Sequence, residues 1–158
     1  MKAKLKRSIL AGIFALTAVA AFSPSTANAQ ARTLVGAWDL TITFRDCNTG
    51  AVIRERPGLI SFMFGGVHQE FGTGQQIPQN RTDAQGNWRH ETGAQYSAVS
   101  KAFRFNADGS LAGTAKLFRS IELTDAGAFA ATVESEIYDA NGVLISRGCA
   151  TESGTRLE

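Results

Sequence analysis

Four polar or charged side chains lie at strand positions that otherwise carry apolar residues. Arg119 shares one face of an alternating segment with leucine and isoleucine neighbours, and Lys101, Ser135 and Glu152 lie on comparable faces of three other segments. A charge buried in such a face needs a partner. Either Arg119 and Glu152 pair inside the protein, or small residues around a cationic group form a pocket for an anionic or polar-headed apolar ligand. Trp88 and His90 are expected near the entrance of such a pocket. The candidate ligand-binding residues are therefore Trp88, His90, Lys101, Arg119, Ser135 and Glu152.

Motifs that would identify a reaction are missing from the sequence. There is no Gly-x-Ser-x-Gly nucleophile elbow, no His-Glu-x-x-His zinc motif, no Cys-x-x-Cys pair and no phosphate-binding glycine loop. The two histidines, His68 and His90, could bind zinc together with Glu70 if their strands face each other. The long intervening loop leaves the strand register unspecified, so ordinary hydrogen-bonded histidines are favoured. The sequence thus predicts no catalytic residue, no metal site and no cofactor.

Apolar and polar residues alternate with a period of two through nearly all of the chain after residue 30, and the breaks are rich in glycine, asparagine and aspartate. This pattern is typical of antiparallel strands joined by tight turns. About eight strands with short connections favour an all-β fold, an up-and-down antiparallel β-barrel, over a sandwich. Residues 72–87 form the one long predicted loop. The predicted strands are residues 38–45, 59–64, 67–71, 88–92, 95–105, 110–124, 129–138 and 143–157.

Two cysteines, Cys47 and Cys149, provide a test of this arrangement. In a barrel with an even number of strands, the end of the first strand meets the start of the last. Cys47 lies at the end of the first predicted strand and Cys149 lies early in the last, both on the face opposite Trp38 and Arg156. We therefore predict a disulfide on the outer wall of the barrel.

The first 29 residues have the order of a secretory signal: a cationic stretch, an apolar run over residues 9–22 and the tripeptide Ala27-Asn28-Ala29. The run is shorter than the ~20 residues that a membrane-spanning helix needs. We predict cleavage after Ala29 and a periplasmic or secreted domain of residues 30–158 with no membrane span. Four of the 16 basic residues leave with the signal, so 12 remain against 14 acidic residues. This balance predicts no nucleic-acid-binding surface.

Gly36-Ala37-Trp38 opens the first strand, and Arg156 lies near the end of the last. This arrangement resembles the calycin superfamily, which includes the lipocalins and avidins. The closing Thr155-Arg156-Leu157 is also similar to the end of avidin-type chains. The resemblance implies a barrel whose narrow end is closed by the tryptophan, with the arginine packed against it by cation–π attraction. Trp38 and Arg156 are structural residues in this interpretation.

Together these features predict an exported barrel of lipocalin/avidin-like type that binds a small apolar or anionic ligand without covalent chemistry. Arg119 and Lys101 would bind the polar end of the ligand, with Trp88 and His90 near the mouth. One alternative is an isomerase or cyclase that resembles the allene oxide cyclase family, with a carboxylate such as Glu152 as its base. Another is a filled barrel that acts as a partner-binding module. The pattern leaves the oligomeric state open.

Overall fold

The computed structural model describes residues 33–72 and 80–157. Within these ranges eight antiparallel strands close into a barrel in chain order, which confirms the predicted fold class. The signal predicted for residues 1–29 lies outside the described residues. The described residues contain no helical segment with the length and hydropathy of a membrane span. The strands are β1 (Gly36–Arg45), β2 (Val52–Phe62), β3 (Val67–Gly72), β4 (Ala84–Thr92), β5 (Gln95–Phe105), β6 (Leu111–Leu123), β7 (Ala128–Tyr138) and β8 (Leu144–Arg156).

The barrel closes where β1 pairs with β8. Their register places Arg45 opposite Cys149. Cys47 follows two residues later and forms a disulfide with Cys149, with 5.2 Å between the two Cα atoms. The predicted disulfide is confirmed. Cys149 alternates with Ala150 along β8 and lies opposite Arg45, so it occupies an outward-facing register position, and both cysteines lie at the rim of the cavity.

Two strands begin four or more residues earlier than the sequence predicts. β2 starts at Val52 instead of residue 59, and β4 starts at Ala84 instead of residue 88, which shortens the predicted loop over residues 72–87. The first half of β2 was missed because it shows no apolar face. Its interior register positions, Arg54 and Arg56, lie toward one end of the barrel, and neither side chain is fully buried. Proline at position 57 further weakened the strand pattern.

Aromatic side chains fill the end of the barrel at which β1 begins, here called the closed end. The ring centroids of Trp38 and Phe129 lie 5.0 Å apart, and Phe62 lies 6.1 Å from Phe129 and 5.9 Å from Trp88. Tyr96 extends the cluster, with its centroid 5.9 Å from that of Trp88. Because the strands alternate in direction, odd-numbered strands begin at this end and even-numbered strands finish there. The apolar core is therefore concentrated in one half of the barrel.

Arg156 covers the outer side of this aromatic cluster. Its guanidinium carbon lies 4.1 Å from the centroid of the Trp38 ring. The guanidinium also donates hydrogen bonds to the carbonyl oxygens of Thr33 at 2.6 Å and Val35 at 2.7 Å. The Trp38 indole N–H donates to the carbonyl oxygen of Leu34 at 2.9 Å. The segment before β1 is thereby tied across the closed end.

The predicted inward orientation of Lys101 is wrong. The opposite face of β5 points into the barrel, while Val99, Lys101 and Phe103 are exposed on the outer wall. There the Lys101 ammonium lies 5.3 Å from the Phe103 ring centroid. The prediction assigned the more apolar face of β5 to the interior. The strand instead places alanines and a serine inside, where they leave room for the large Arg119 side chain of β6. The interior residues of β5 are Tyr96, Ala98, Ser100 and Ala102.

Candidate functional site

A cavity of about 490 Å³ occupies the half of the barrel opposite the closed end. Its opening, here called the cavity mouth, is surrounded by the β1–β2 turn and by the adjacent parts of β2 and β8. The walls are formed mainly by apolar side chains, namely Ile42, Phe44, Ala115, Leu117, Val133, Ile137 and Ala150. The residues of the cavity mouth are Arg45, Asp46, Cys47, Asn48, Ile53, Arg54, Arg147, Gly148 and Cys149.

Between the cavity and the aromatic cluster lies a group of polar and charged residues, here called the floor network: Glu70, Ser100, Arg119 and Glu152, which are buried, and the half-buried Arg81. The Arg119 guanidinium donates from Nε to Glu152 Oε2 at 2.9 Å and from Nη2 to Glu152 Oε1 at 3.1 Å. It also donates to Glu70 Oε2 and, from Nη1, to Ser100 Oγ at 3.1 Å. Arg81 Nη2 donates to Glu70 Oε1 at 2.9 Å. Two guanidinium groups therefore balance two carboxylates.

The floor network favours the charged forms of Glu70 and Arg119. Burial alone raises the pKa of Glu70, but Arg119 and Arg81 outweigh burial and hold that pKa below its usual value. Burial likewise opposes the charge on Arg119, whereas Glu152 and Glu70 raise its pKa. Such close pairs are strong in a site from which water is excluded. The floor network thus contains individual charged side chains, but the sum of its charges is zero.

The structure brings Arg119, Ser135 and Glu152 to one region, but gives them different positions. Ser135 and Glu152 border the cavity, as their strand faces predict. The Arg119 side chain is 0% exposed and already bonds Glu70, Ser100 and Glu152. Of the two alternatives that the sequence left open, internal pairing describes Arg119 and ligand anchoring does not.

Trp88 and His90 lie at the closed end, so their predicted position near the mouth is wrong. Trp88 Nε1 donates to the carbonyl oxygens of Met63 at 3.0 Å and Val67 at 3.1 Å. The exposed His90 bonds the Gly93 carbonyl oxygen through Nε2 at 2.8 Å. The physical reason is strand direction: both residues lie late in β4, and even-numbered strands finish at the end that holds the start of β1.

His68 is the least satisfied polar side chain of the described interior. It is fully buried, and neither of its ring nitrogens has a hydrogen-bond partner. Its ring stacks on Phe62, with 5.6 Å between centroids. Burial, followed by the nearby positive charge of Arg119, lowers the pKa of His68 to about 4. Among residues 33–72 and 80–157, no group of three or more His, Cys, Asp or Glu side chains is placed to hold a metal ion.

Acid is expected to destabilise the protein through His68. An unfolded histidine gains a proton below about pH 6.5, whereas folded His68 does so only near pH 4, so stability is lost as pH falls through that window. The full loss is about 3 kcal/mol. Urea denaturation of the protein and of His68→Leu between pH 7 and pH 4 measures it. The exposed His90 provides the control, because His90→Leu leaves His68 in place. Equal pH dependence in the protein and in His68→Leu would contradict this assignment.

Four residues of the site were missing from the candidates. Glu70 could have been predicted, because it shares one face of β3 with His68 and because a buried arginine requires acidic partners. Ser100 lay on the β5 face that was assigned to solvent. Arg81 lies in the predicted loop and carried no signal. Arg54 lies in the part of β2 that was not recognised as a strand.

Comparison of the chain with protein-family models, with curated proteins and with solved structures finds no match. The fold and the site define the class of protein: an eight-stranded antiparallel barrel with one closed end, a charged floor and a cavity that opens at the other end. The function therefore has to be inferred from the cavity and its side chains.

Proposed function

We propose that this protein is an exported barrel that binds a small molecule in its cavity without covalent chemistry. The observation that carries the proposal is the cavity itself, about 490 Å³ in volume with predominantly apolar walls. Ligand pockets in proteins commonly fall within about 300–1,000 Å³ and combine apolar walls with a few polar groups. Ser135 and the charged residues of the floor and mouth supply such polar groups here.

The same proposal includes a calycin-like identity and an extracytoplasmic location. The packing of Arg156 on Trp38 supports the first, because it is the contact that the resemblance implies at the closed end. The disulfide supports the second, since disulfides persist in oxidising compartments. Cleavage after Ala29 remains part of the proposal.

The floor network favours binding over acid–base catalysis. A carboxylate base needs an oxygen that can take up a proton from the substrate. Both oxygens of Glu152 accept hydrogen bonds from Arg119, at 2.9 and 3.1 Å. Both oxygens are therefore already engaged with Arg119, and neither is free of a protein donor to accept a substrate proton. The cavity also distinguishes the protein from a barrel that is filled throughout, since the aromatic cluster occupies only the closed half.

Native mass spectrometry of protein exported to the periplasm tests the proposal. We expect a reproducible non-covalent adduct that disappears under denaturing conditions. Leu117→Trp should reduce the adduct at least tenfold, because position 117 borders the cavity and an indole there takes up its volume. Lys116→Trp is the matched control, since the neighbouring side chain is exposed on the same strand.

Two outcomes would count against the proposal. A bare protein of the expected mass, obtained repeatedly after gentle purification, would favour a barrel that acts through its outer surface. An adduct that survives Leu117→Trp but is lost in Lys116→Trp would place the ligand outside the cavity.

A further inference from the structure

We propose that the cavity takes an amphipathic monoanion, such as a medium-chain carboxylate, with its apolar tail inside and its anionic head at Arg54 in the cavity mouth. This inference rests on the proposed function, because it names the ligand class and the orientation for the same cavity. It also replaces Arg119 as the expected contact for a negative charge.

The floor of the cavity is unsuited to an anionic head. Glu70 and Glu152 both border the cavity there, whereas Arg119 lies behind them with a side chain that is 0% exposed. Arg81, the other cation at the floor, already bonds Glu70 at 2.9 Å. A ligand carboxylate at this depth would face two carboxylates and no uncompensated cation. Repulsion between like charges is strong where water is excluded, so the head has to remain nearer the mouth.

The space between floor and mouth suits an apolar tail. Ile42 lies opposite Glu152 in the β1–β8 register and so marks the level of the floor, and Arg45 at the end of β1 marks the mouth. Three residues of strand correspond to roughly 10 Å. Over this depth the wall side chains are apolar, including Phe44 and Val133. The dimensions fit a medium-length chain, and the floor network blocks a longer one from extending toward the closed end.

Arg54 is placed to receive the head. It lies opposite Phe44 in the β1–β2 register, which puts it on the interior face of β2, and its guanidinium carbon is 4.7 Å from the Phe44 ring centroid. No carboxylate of the described chain lies within 4.0 Å of it. Arg54 is exposed at the mouth, and its N–H donors have no acceptor in the described chain, so they are available to a carboxylate, which a guanidinium can bind through two parallel hydrogen bonds.

The other arginines that border the cavity are already engaged. Arg81 pairs with Glu70, and Arg147 pairs with Glu136 at 3.4 Å. Arg45 donates from Nε to Thr151 Oγ1 at 3.1 Å and from Nη1 to the carbonyl oxygen of residue 50 at 3.0 Å. Among the cavity residues that the structure describes, Arg54 is thus the cation that has neither a carboxylate nor a hydrogen-bond acceptor.

Titration with three probes that share a ten-carbon chain tests the inference: decanoate, 1-decanol and decyltrimethylammonium. For the full-length mature protein we expect decanoate to bind at least tenfold more tightly than decanol, and the cation to bind most weakly. In Arg54→Gln the preference for decanoate over decanol should fall below about threefold, while the affinity for decanol stays the same. Arg89→Gln is the matched control and should keep the preference, because Arg89 pairs with Glu91 near the closed end and does not border the cavity.

The result that would overturn the inference is equal binding of decanoate and decanol, tightest binding of the cation, or a preference that persists in Arg54→Gln. Failure of all three probes to bind would overturn it as well. These outcomes are distinct from failure of the proposed function, which is decided by the native adduct and its loss in Leu117→Trp. A neutral native ligand that is lost in Leu117→Trp would leave the proposed function standing and refute the monoanion.

Discussion

Replacing Arg119 with leucine is expected to lower the free energy of unfolding by about 3 to 5 kcal/mol. The variant removes four hydrogen bonds that the guanidinium donates to Glu70, Ser100 and Glu152. Glu152 is left with no positive partner, and Glu70 keeps only Arg81. A buried carboxylate without its partner carries a large desolvation penalty, which is why breaking such a pair is far more damaging than its net contribution suggests. Urea denaturation at pH 7 measures the change.

The surface pair between Arg147 and Glu136 supplies the control for this effect. The Arg147 side chain is 70% exposed and its contact with Glu136 is 3.4 Å long, so Arg147→Leu should change the stability by less than about 1 kcal/mol.

A further variant of the floor network separates the loss of ion pairing from the loss of side-chain volume. Arg119→Met combined with Glu70→Leu and Glu152→Leu should be more stable than Arg119→Leu, because it leaves no buried carboxylate. Equal losses in Arg119→Leu and Arg147→Leu would mean that the floor network contributes no more than a surface pair.

The alternation of apolar and polar residues along the chain was sufficient to predict the barrel. It did not predict which face of a strand points inward where the interior face is no more apolar than the exterior one. On β7 and β8 the interior positions carry the more apolar or smaller residues, so Ser135 and Glu152 were placed correctly at the cavity. On β5 the order is reversed, with Val99 and Phe103 on the outer wall and alanine and serine inside. The interior of a small barrel is limited by volume, and one large arginine from a neighbouring strand decides which side chains fit beside it.

The floor network could be predicted only in part. Arg119 and Glu152 were recognised as possible partners because both break an apolar face. The contact between Arg119 and Glu70 crosses the interior between β6 and β3, which are not neighbours in the sheet. Strand order gives neighbouring pairs, whereas contacts across the lumen depend on tilt and stagger, which alternation does not encode. The positions of Trp88 and His90 are a different case, since strand direction alone places the end of β4 at the closed end.

The two ends of the β1–β8 seam are held by different interactions. At the closed end Arg156 binds the segment that precedes β1, through carbonyl oxygens of Thr33 and Val35. At the open end the disulfide between Cys47 and Cys149 joins the two strands beside the cavity mouth. At the mouth a covalent link therefore adds to the strand pairing that joins the first and last strands of the chain.

Removing the disulfide with Cys47→Ala and Cys149→Ala is expected to lower the free energy of unfolding by about 4 to 5 kcal/mol, the upper range for a loop of this size. The bridge spans 102 residues of sequence, so β2 to β7 lie within the loop that it closes, whereas β1 and the second half of β8 lie outside it. The cross-link restricts the unfolded chain, so the effect does not require any loss of native contacts. Urea denaturation of the double variant and of chemically reduced protein should give the same loss, which separates the effect of the bond from that of the side chains. A loss below about 1 kcal/mol in both would show that the unfolded chain is already compact enough to keep β1 and β8 close together without the bond.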